Sequence, residues 1–217
     1  VTLTKEQLQA YEEMKTLALA LFAQGMTTTV NALTQLMRLH QITCGHTKLD
    51  DGTEIDIPTN RVTELLSVIE ETSGKAIIWS GYRHDIESIK LALQKEYGMA
   101  AVGTYYGDTD DEERRRVVRE FQDMDSELRF FVGNPRTGGY GLTLTAADTV
   151  VYFSNSFDLE VRLQSEDRAH RIGQTKSVTY VDLFVPGTID EKIVRALRQK
   201  IDIANEVLGE EAKAWLI

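Results

Sequence analysis

From about residue 60 the chain alternates short apolar runs with amphipathic ones, and this alternation is the strongest constraint on its fold. The runs KAIIW (75–79), LRFFVG (128–133) and DTVVYF (148–153) are almost continuously apolar, as strands buried on both faces are. Helical crossovers between such strands join parallel neighbours. The sequence therefore predicts an α/β fold whose mostly parallel sheet is covered by helices on both faces. The other predicted elements are strands at 100–104 and 177–185 and helices at 59–72, 84–97, 110–122 and 158–172.

The sequence near each end of the chain predicts further helices that do not belong to the alternation of strands and helices. Residues 4–43 carry apolar side chains at helical spacing, with a break before a second helix over 31–43. Residues 45–58 carry turn chemistry, which predicts a loop or a short hairpin. A last helix begins at the capping-box pair Thr188 and Glu191.

The composition is that of a globular protein without a metal or membrane signal. The 217 residues are 42% hydrophobic and 27% charged, which is enough apolar material for a core. The longest strongly apolar run, LALALFA (17–23), is too short to cross a bilayer, so no membrane partner is expected. The single cysteine, Cys44, excludes an internal disulfide and a cysteine-based zinc cluster, and the four histidines lack metal-motif spacing. We therefore predict that this chain holds no metal.

Two further features bear on the setting of the chain. The sequence opens at Val1 without a basic and apolar leader, which predicts an intracellular, cytoplasmic piece of a longer polypeptide. Its formal net charge of −10 argues against a uniformly basic nucleic-acid binder. Local contacts to phosphates are compatible with that charge, because they depend on where the basic side chains lie.

The loops after the predicted strands are the first candidates for a site, because ligands of parallel sheets bind beyond the carboxyl ends of the strands. The loop GNPRTGGYG (133–141) has four glycines in nine residues, so its backbone can approach a ligand closely and direct N–H groups at anions. A flexible turn between two strands explains the same glycines. Leu144 stands where a dinucleotide fingerprint needs its third glycine, and the sequence contains no Walker phosphate-binding loop.

The acidic run YYGDTDDEE (105–113) has a structural explanation that we prefer to a catalytic one. Thr109 can cap the following helix, Glu112 can complete a capping box, and acids suit the positive N-terminus of a helix. These acids do not end an apolar strand, so we do not expect them to form a metal-binding acidic box.

The segment QSEDRAHRIGQ (164–174) is the second candidate. On a helix, Gln164, Arg168 and Arg171 fall on one face, at the ligand edge of the sheet. Two guanidinium groups one turn apart suit phosphate oxygens, and such an arginine stabilises the charge that develops on a transferring phosphoryl group. The alternative is an exposed helix face with an ion pair between Asp167 and Arg171, ended by the glycine that follows.

Taken together, these segments resemble the second motor lobe of superfamily-two helicase-like ATPases, in particular the Swi/Snf-type DNA translocases. The resemblance covers most of the chain and implies a RecA-like sheet. QSEDRAHRIGQTKSV followed by GTIDEKIVRALRQK carries it most specifically. The other matching segments are LMRLHQITCGHTKL, KAIIWSGYRHDIESI, YYGDTDDEERRRVVREFQ and TGGYGLTLTAADTVVYF.

The resemblance also implies an organisation and a set of partners. Residues 1–45 would be a helical extension or linker from an absent first lobe, 46–187 the RecA-like lobe, and 188–217 a C-terminal brace helix. The first lobe of the same polypeptide would hold ATP and Mg²⁺, and double-stranded DNA would be the track along which ATP hydrolysis moves the motor. This chain lacks the Walker loop and the Asp-Glu box of a first lobe, so it is expected to be inactive alone.

The resemblance assigns roles to individual residues. Arg168 and Arg171 would reach ATP as the catalytic arginines, with Arg171 as the main finger. Glycines of the 133–141 loop would shape the interface between the lobes. The implied nucleotide-binding residues are Gln164, Gly139, Gly141 and Thr143, and the implied DNA-binding residues are Ser80, Arg83, Thr109, Arg136, Thr137 and Gly138.

Two departures from the family pattern leave an alternative open. Thr143 stands where the family commonly has asparagine, which shortens a polar contact, and SNSFD (154–158) replaces a Trp-Asn-Pro sequence. SNSFD and QITCGHTK suggest a bacterial or phage branch. A non-catalytic α/β DNA-binding module derived from such a lobe is the alternative function. The retained pair of Arg168 and Arg171 favours the motor lobe.

Overall fold

The helix and strand alternation that the sequence predicts is present in the structure, a computed structural model that describes residues 1–23, 29–49, 51–137, 142–200 and 215. The predicted helix break at Gly25 and the brace helix beyond residue 200, apart from Trp215, lie outside the described residues, and the last threonine of the run predicted to belong to the break, Thr29, begins α2. The helices are α1 (Lys5–Ala23), α2 (Thr29–Cys44), α3 (Arg61–Glu70), α4 (Arg83–Tyr97), α5 (Asp111–Gln122), α6 (Leu159–Ala169) and α7 (Ile189–Arg198). The strands are β1 (His46–Lys48), β2 (Glu54–Asp56), β3 (Lys75–Trp79), β4 (Val102–Tyr105), β5 (Phe130–Gly133), β6 (Ala147–Tyr152) and β7 (Thr179–Asp182).

Five of the strands form one parallel sheet in the order β4-β5-β3-β6-β7. The most continuously apolar strand, β3, lies at the centre, where all five of its residues are buried. The predicted α/β fold with a parallel sheet is therefore confirmed. The hairpin that was one alternative for residues 45–58 is also present, because β1 and β2 pair in antiparallel fashion.

Helices cover both faces of this sheet, and two adjacent phenylalanines of β5 show how. Successive strand residues point to opposite faces. Phe131 packs on Phe121 of α5, with ring centroids 5.5 Å apart. Phe130 packs on Tyr97 of α4 at 4.9 Å. The two helices therefore bury opposite faces of the same strand.

The carboxyl ends of the central strands stop at one level. Trp79 at the end of β3 is in register with Gly133 on one side and with Tyr152 on the other. Gly133 is the last residue of β5, as in the predicted strand over 128–133, and the predicted loop over 133–141 begins after it. A Cβ atom at Gly133 would lie 2.7 Å from the carbonyl oxygen of Tyr105, so glycine is required by close packing at this point.

The start of α5 differs from the predicted capping box. Asp110, and not Thr109, caps this helix, because its carboxylate accepts the backbone N–H groups of Glu112 and Glu113 at 3.0 and 2.9 Å. The Thr109 hydroxyl instead accepts the backbone N–H of Tyr106 at 3.2 Å.

At the start of α7 the predicted capping pair, Thr188 and Glu191, is present, but one of its two hydrogen bonds has a different partner. Thr188 is the N-cap and accepts the backbone N–H of Asp190 at 3.2 Å. Glu191 accepts the N–H of Gly187 at 2.8 Å instead of that of Thr188, so the return bond is displaced by one residue.

The described residues fall into two compact units. The sheet belongs to the unit of residues 62–156 and 160–183, and the other unit is drawn from 1–61, 157–159 and 184–217. In this second unit α1, α2 and α7 share an apolar core that includes Leu36 and Ile193. No helix among the described residues has the length and apolar content needed to cross a membrane.

A buried charged cluster connects distant parts of the helical unit. Asp190 of α7 is fully buried and forms an ion pair with Arg61, itself fully buried. His40 Nε2 lies 3.4 Å from Asp190 Oδ1, and the backbone N–H of Val185 donates to Oδ2 at 3.0 Å. Burial alone would raise the pKa of Asp190, but Arg61 and His40 outweigh it and hold the pKa below its ordinary value.

We expect Asp190→Asn to destabilise the chain by about 3–5 kcal/mol, because it leaves the Arg61 guanidinium buried without its counter-charge. The loss should be measured by urea unfolding at neutral pH. In the unmutated chain this contribution is fully present above the ordinary aspartate pKa of about 4 and is lost as the pH falls toward the lowered pKa. Glu191→Gln, one residue along the same helix but only half-buried, is the control and should leave the urea midpoint nearly unchanged, because glutamine keeps an acceptor for Gly187.

Candidate functional site

A buried hydroxyl and carboxylate network lies directly beyond the carboxyl end of β3. The Ser80 hydroxyl donates to Asp85 Oδ2 at 2.7 Å and lies 2.7 Å from the Ser154 hydroxyl. Ser154 in turn accepts the backbone N–H of Gly81 at 3.0 Å. All three side chains are almost completely buried. The network therefore fixes the loop after β3 to the loop after β6, and the Ser80 hydroxyl is one of its interior members.

The loop after β5 is held by Asn134, which the sequence analysis did not single out. Its side-chain N–H donates to the carbonyl of Gly81 at 3.1 Å, and its side-chain oxygen accepts the backbone N–H of Arg136 at 2.8 Å. The backbone N–H of Thr137 donates to the Asn134 carbonyl at 3.0 Å. Asparagine before proline is a known turn signal, and it is present here as Asn134 and Pro135.

The predicted DNA contacts Arg136 and Thr137 therefore lie on a tight turn at this edge. Arg136 is exposed, and its Nη2 atom donates to the Ser156 hydroxyl at 3.2 Å. Since Ser156 follows β6, and β3 lies between β5 and β6 in the sheet, the side chain of Arg136 extends across the end of the central strand. The third predicted contact in this loop, Gly138, lies outside the described residues.

Arg168 lies on α6 and is buried, with only 5% of its surface exposed. Its guanidinium carbon lies 5.2 Å from the centre of the Trp79 ring, and Nη1 donates to the carbonyl of Thr137 at 3.4 Å. Burial lowers the pKa of Arg168 below its ordinary value, and an arginine remains charged after such a change. The structure thus holds a cation at the carboxyl ends of β3 and β5.

Arg171 does not continue the helical face of Gln164 and Arg168, because α6 ends at Ala169. The predicted helix over 158–172 was too long at this end. The reason is Gln174, whose side-chain N–H donates to the carbonyl of Ala169 at 3.2 Å and also to the carbonyls of Thr145 and Ala147. The chain turns back here, with Gly173 at a φ of 105° that favours glycine.

Arg171 therefore extends from an exposed turn. Its Nη1 atom donates to the Thr143 hydroxyl at 3.3 Å, so this predicted finger and this predicted nucleotide contact are adjacent. Gln164 donates to Glu160 at 2.8 Å on the half-exposed face of α6. Gly139 and Gly141, the two other predicted nucleotide contacts, lie outside the described residues.

The orientation of α6 depends on a residue that the sequence analysis also missed. Arg162 donates to Asn155 Oδ1 at 2.6 Å and pairs with Asp182 at the end of β7. Its guanidinium carbon lies 3.5 Å from the centre of the Tyr152 ring. These contacts fix the first turn of α6 to the ends of β6 and β7, and so set the direction of the helix that carries Arg168.

The remaining predicted DNA contacts lie beyond β3 and β4. Arg83 at the start of α4 pairs with Asp108, and both side chains are more than half exposed. An exposed pair of this kind contributes little to stability. Thr109 is one residue further along the same loop, where its hydroxyl is bonded to the backbone of Tyr106.

Comparison with known proteins identifies the family to which this chain belongs. The model of the helicase conserved C-terminal domain matches residues 59–173. The chromatin-remodeling ATPase INO80 of Homo sapiens is 35% identical over 148 residues, which are 67% of this chain and 9% of that protein. INO80 of Mycosarcoma maydis is 44% identical over 100 residues, 46% of this chain and 5% of that protein. The chain thus spans less than a tenth of the length of these relatives.

Solved structures are similar over the whole chain. The Sulfolobus solfataricus SWI2/SNF2 ATPase core in complex with dsDNA matches with a TM-score of 0.76 and 25% identity, over 100% of this chain and 48% of that one. The C-terminal domain of the same ATPase matches with a TM-score of 0.68 and 22% identity, over 100% of this chain and 90% of that one. At this identity the match shows a similar fold. The bacterial or phage origin suggested by SNSFD and QITCGHTK finds no support among these relatives.

The contrast between the two arginines predicts different effects on stability. Arg168→Ala should destabilise the chain by about 1–3 kcal/mol, because it removes a ring contact and a charged hydrogen bond from a buried position. Arg171→Ala should change stability by no more than about 0.5 kcal/mol, because the side chain is exposed. Thermal unfolding of the two variants beside the unmutated chain measures both. Equal losses would contradict the difference in burial.

Proposed function

As the chain belongs to the helicase conserved C-terminal domain family and is a second motor lobe of the Swi/Snf type, we propose that it forms half of an ATP-dependent motor that moves along duplex DNA. A first lobe of the same polypeptide binds ATP and Mg²⁺, and this lobe supplies arginines to the phosphates and grips the DNA backbone. The chain by itself does not hydrolyse ATP in this proposal, since its sequence has no Walker loop. The three-part division at residues 45 and 187 belongs to the same proposal.

The observation that carries the proposal is the placement of two arginines at the two ends of one loop. Arg168 contacts Thr137, where the loop begins, and Arg171 contacts Thr143, where it ends. A phosphate chain that approaches this edge would meet the exposed guanidinium group of Arg171 and the positive potential of the buried Arg168. Guanidinium groups present several N–H donors in a fixed plane, which matches the oxygens of a phosphoryl group.

The two arginines perform different parts of the reaction. When water attacks the γ-phosphorus of ATP, negative charge develops on the transferring group and on the bridging oxygen of the departing ADP. Arg171, which is exposed and reaches outward, is the finger that stabilises this charge. Arg168 is buried, donates to the Thr137 carbonyl and adds a fixed positive potential. None of the proposed nucleotide contacts is a carboxylate, which supports a Mg²⁺ site on the first lobe.

DNA binding uses the neighbouring loops of the same sheet edge. Arg136 and Arg83 provide positive charge for phosphates, and Thr137 lies on the same turn as Arg136. Duplex DNA is the proposed track because the similar Sulfolobus solfataricus core is a complex with dsDNA. Contacts restricted to phosphates read no base sequence, as a motor that moves along DNA requires. The intracellular setting belongs to this proposal as well.

The test of the motor is turnover by the full-length polypeptide that carries this lobe. Arg171→Ala should lower duplex-DNA-stimulated ATP hydrolysis by about a thousandfold, because it removes a finger that acts on the transition state. DNA binding measured by fluorescence anisotropy should not change. Arg195→Ala, which removes another exposed arginine, from α7, is the matched control and should leave turnover intact.

Two results would decide against the motor. Full turnover by Arg171→Ala would mean that the arginine is only part of an exposed turn. An unmutated polypeptide that binds DNA but hydrolyses no ATP would favour the non-catalytic DNA-binding module instead.

The DNA grip has its own test in the dependence of affinity on salt. Arg136→Ala in the full-length polypeptide should weaken binding to a duplex about tenfold at physiological salt. The slope of log K against log salt should become shallower by about 0.9, the value expected when the protein neutralises one phosphate fewer. Arg195→Ala should leave the slope unchanged. An unchanged slope for Arg136→Ala would remove this arginine from the DNA interface.

A further inference from the structure

We propose that Asn134 is a positioning residue that joins the loops after β3 and β5 into one phosphate-binding unit. The inference rests on the proposed DNA grip of Arg136 and of the loop Ser80–Arg83. It adds a residue that acts through its neighbours and does not itself contact the DNA.

The geometry assigns Asn134 four hydrogen bonds to three segments. Its backbone N–H donates to the carbonyl of Tyr105 at the end of β4, at 3.0 Å. Its side chain donates to the carbonyl of Gly81 after β3 and accepts the backbone N–H of Arg136. Its own carbonyl accepts from Thr137. One residue therefore sets the spacing between the two loops and the shape of the turn that carries Arg136.

The side-chain amide is suited to this task because it carries a donor and an acceptor on one short stem. An aspartate would keep the acceptor but would bring a second oxygen against the Gly81 carbonyl. A serine or threonine hydroxyl can accept from Arg136 N–H, as in other short turns, but is too short to bridge to the next loop. Only the bond to Gly81 joins one loop to the other.

The same bonds are exposed enough for water to replace them. Both side-chain bonds of Asn134 lie at the surface, and the residue is half-buried. Removing the amide therefore leaves the Gly81 carbonyl and the Arg136 N–H hydrated, without the cost of burying an unpaired group. Loss of Asn134 should affect the relative position of the two loops much more than the stability of the fold.

Two loops that act as one unit contact the phosphates of a DNA strand together. If the two loops are not joined, each loop must be ordered separately when its residues bind a phosphate. The ordering cost then reduces the affinity, although every contacting residue is still present. Asn134 therefore contributes to affinity by preorganising Arg136 relative to the loop Ser80–Arg83.

The experiment is a double-mutant cycle in the full-length polypeptide, with anisotropy of a fluorescein-labelled duplex measured between about 50 and 200 mM salt. Asn134→Ala should weaken binding about tenfold but leave the salt slope of the unmutated polypeptide, because Arg136 is still present to neutralise its phosphate. The double variant should bind no more weakly than Arg136→Ala alone, because Asn134 acts on binding only through the position of Arg136. Asn60→Ala, which removes a surface amide bonded to Thr2, is the control and should bind normally.

Asn134→Thr is the second variant, since it keeps an acceptor for the turn and loses only the bridge to Gly81. It should weaken binding as Asn134→Ala does, while thermal unfolding stays within a few degrees of the unmutated protein. Unmutated affinity in Asn134→Thr, or additive losses in the double variant, would overturn the positioning role. If Arg136→Ala itself leaves the salt slope unchanged, the proposed DNA grip fails, and the inference fails with it.

Discussion

The parallel register of β3 with its two neighbours determines where the site of the sheet-bearing unit lies. Trp79 is opposite Gly133 and Tyr152, so three strands end at one level. The loops that follow them begin at the same height and can bond to one another. Every polar residue of the candidate edge depends on this alignment, because a strand displaced by one residue would turn its side chains to the other face.

The bounds of a helix or strand were predictable where neighbouring residues in the sequence set them. They were less predictable where residues distant in the sequence set them. β3 was predicted to the residue, because a continuous apolar run is bounded by a glycine before it and by polar residues after it. The end of α6 was placed too late, because periodicity alone continues through Arg171. Gln174 ends the helix through bonds to Thr145 and Ala147, and a pattern read along one segment does not contain those partners.

At the site, likewise, the sequence shows which residue types are present but not which groups they contact. A sequence motif indicates that Ser80 lies at a strand end, and the structure adds that its hydroxyl bonds to Asp85 and Ser154 in the interior. Burial of this kind depends on three segments meeting. Asn134 had a local signal, since it precedes a proline, yet its bridge to Gly81 is visible only when two strands lie side by side.

Because Arg168 is buried and Arg171 is exposed, their side chains lose conformational entropy at different stages of the proposed nucleotide binding. Arg168 is immobilised by Trp79 and Thr137 when the chain folds, so its rotamer freedom is lost before any ligand arrives. Arg171 extends from an exposed turn and gives up its freedom only when it engages a ligand, at a cost of about 0.5–1.5 kcal/mol for such a side chain. In the proposed motor, Arg168 would thus be ordered before the phosphates arrive, and Arg171 would become ordered only as it binds them.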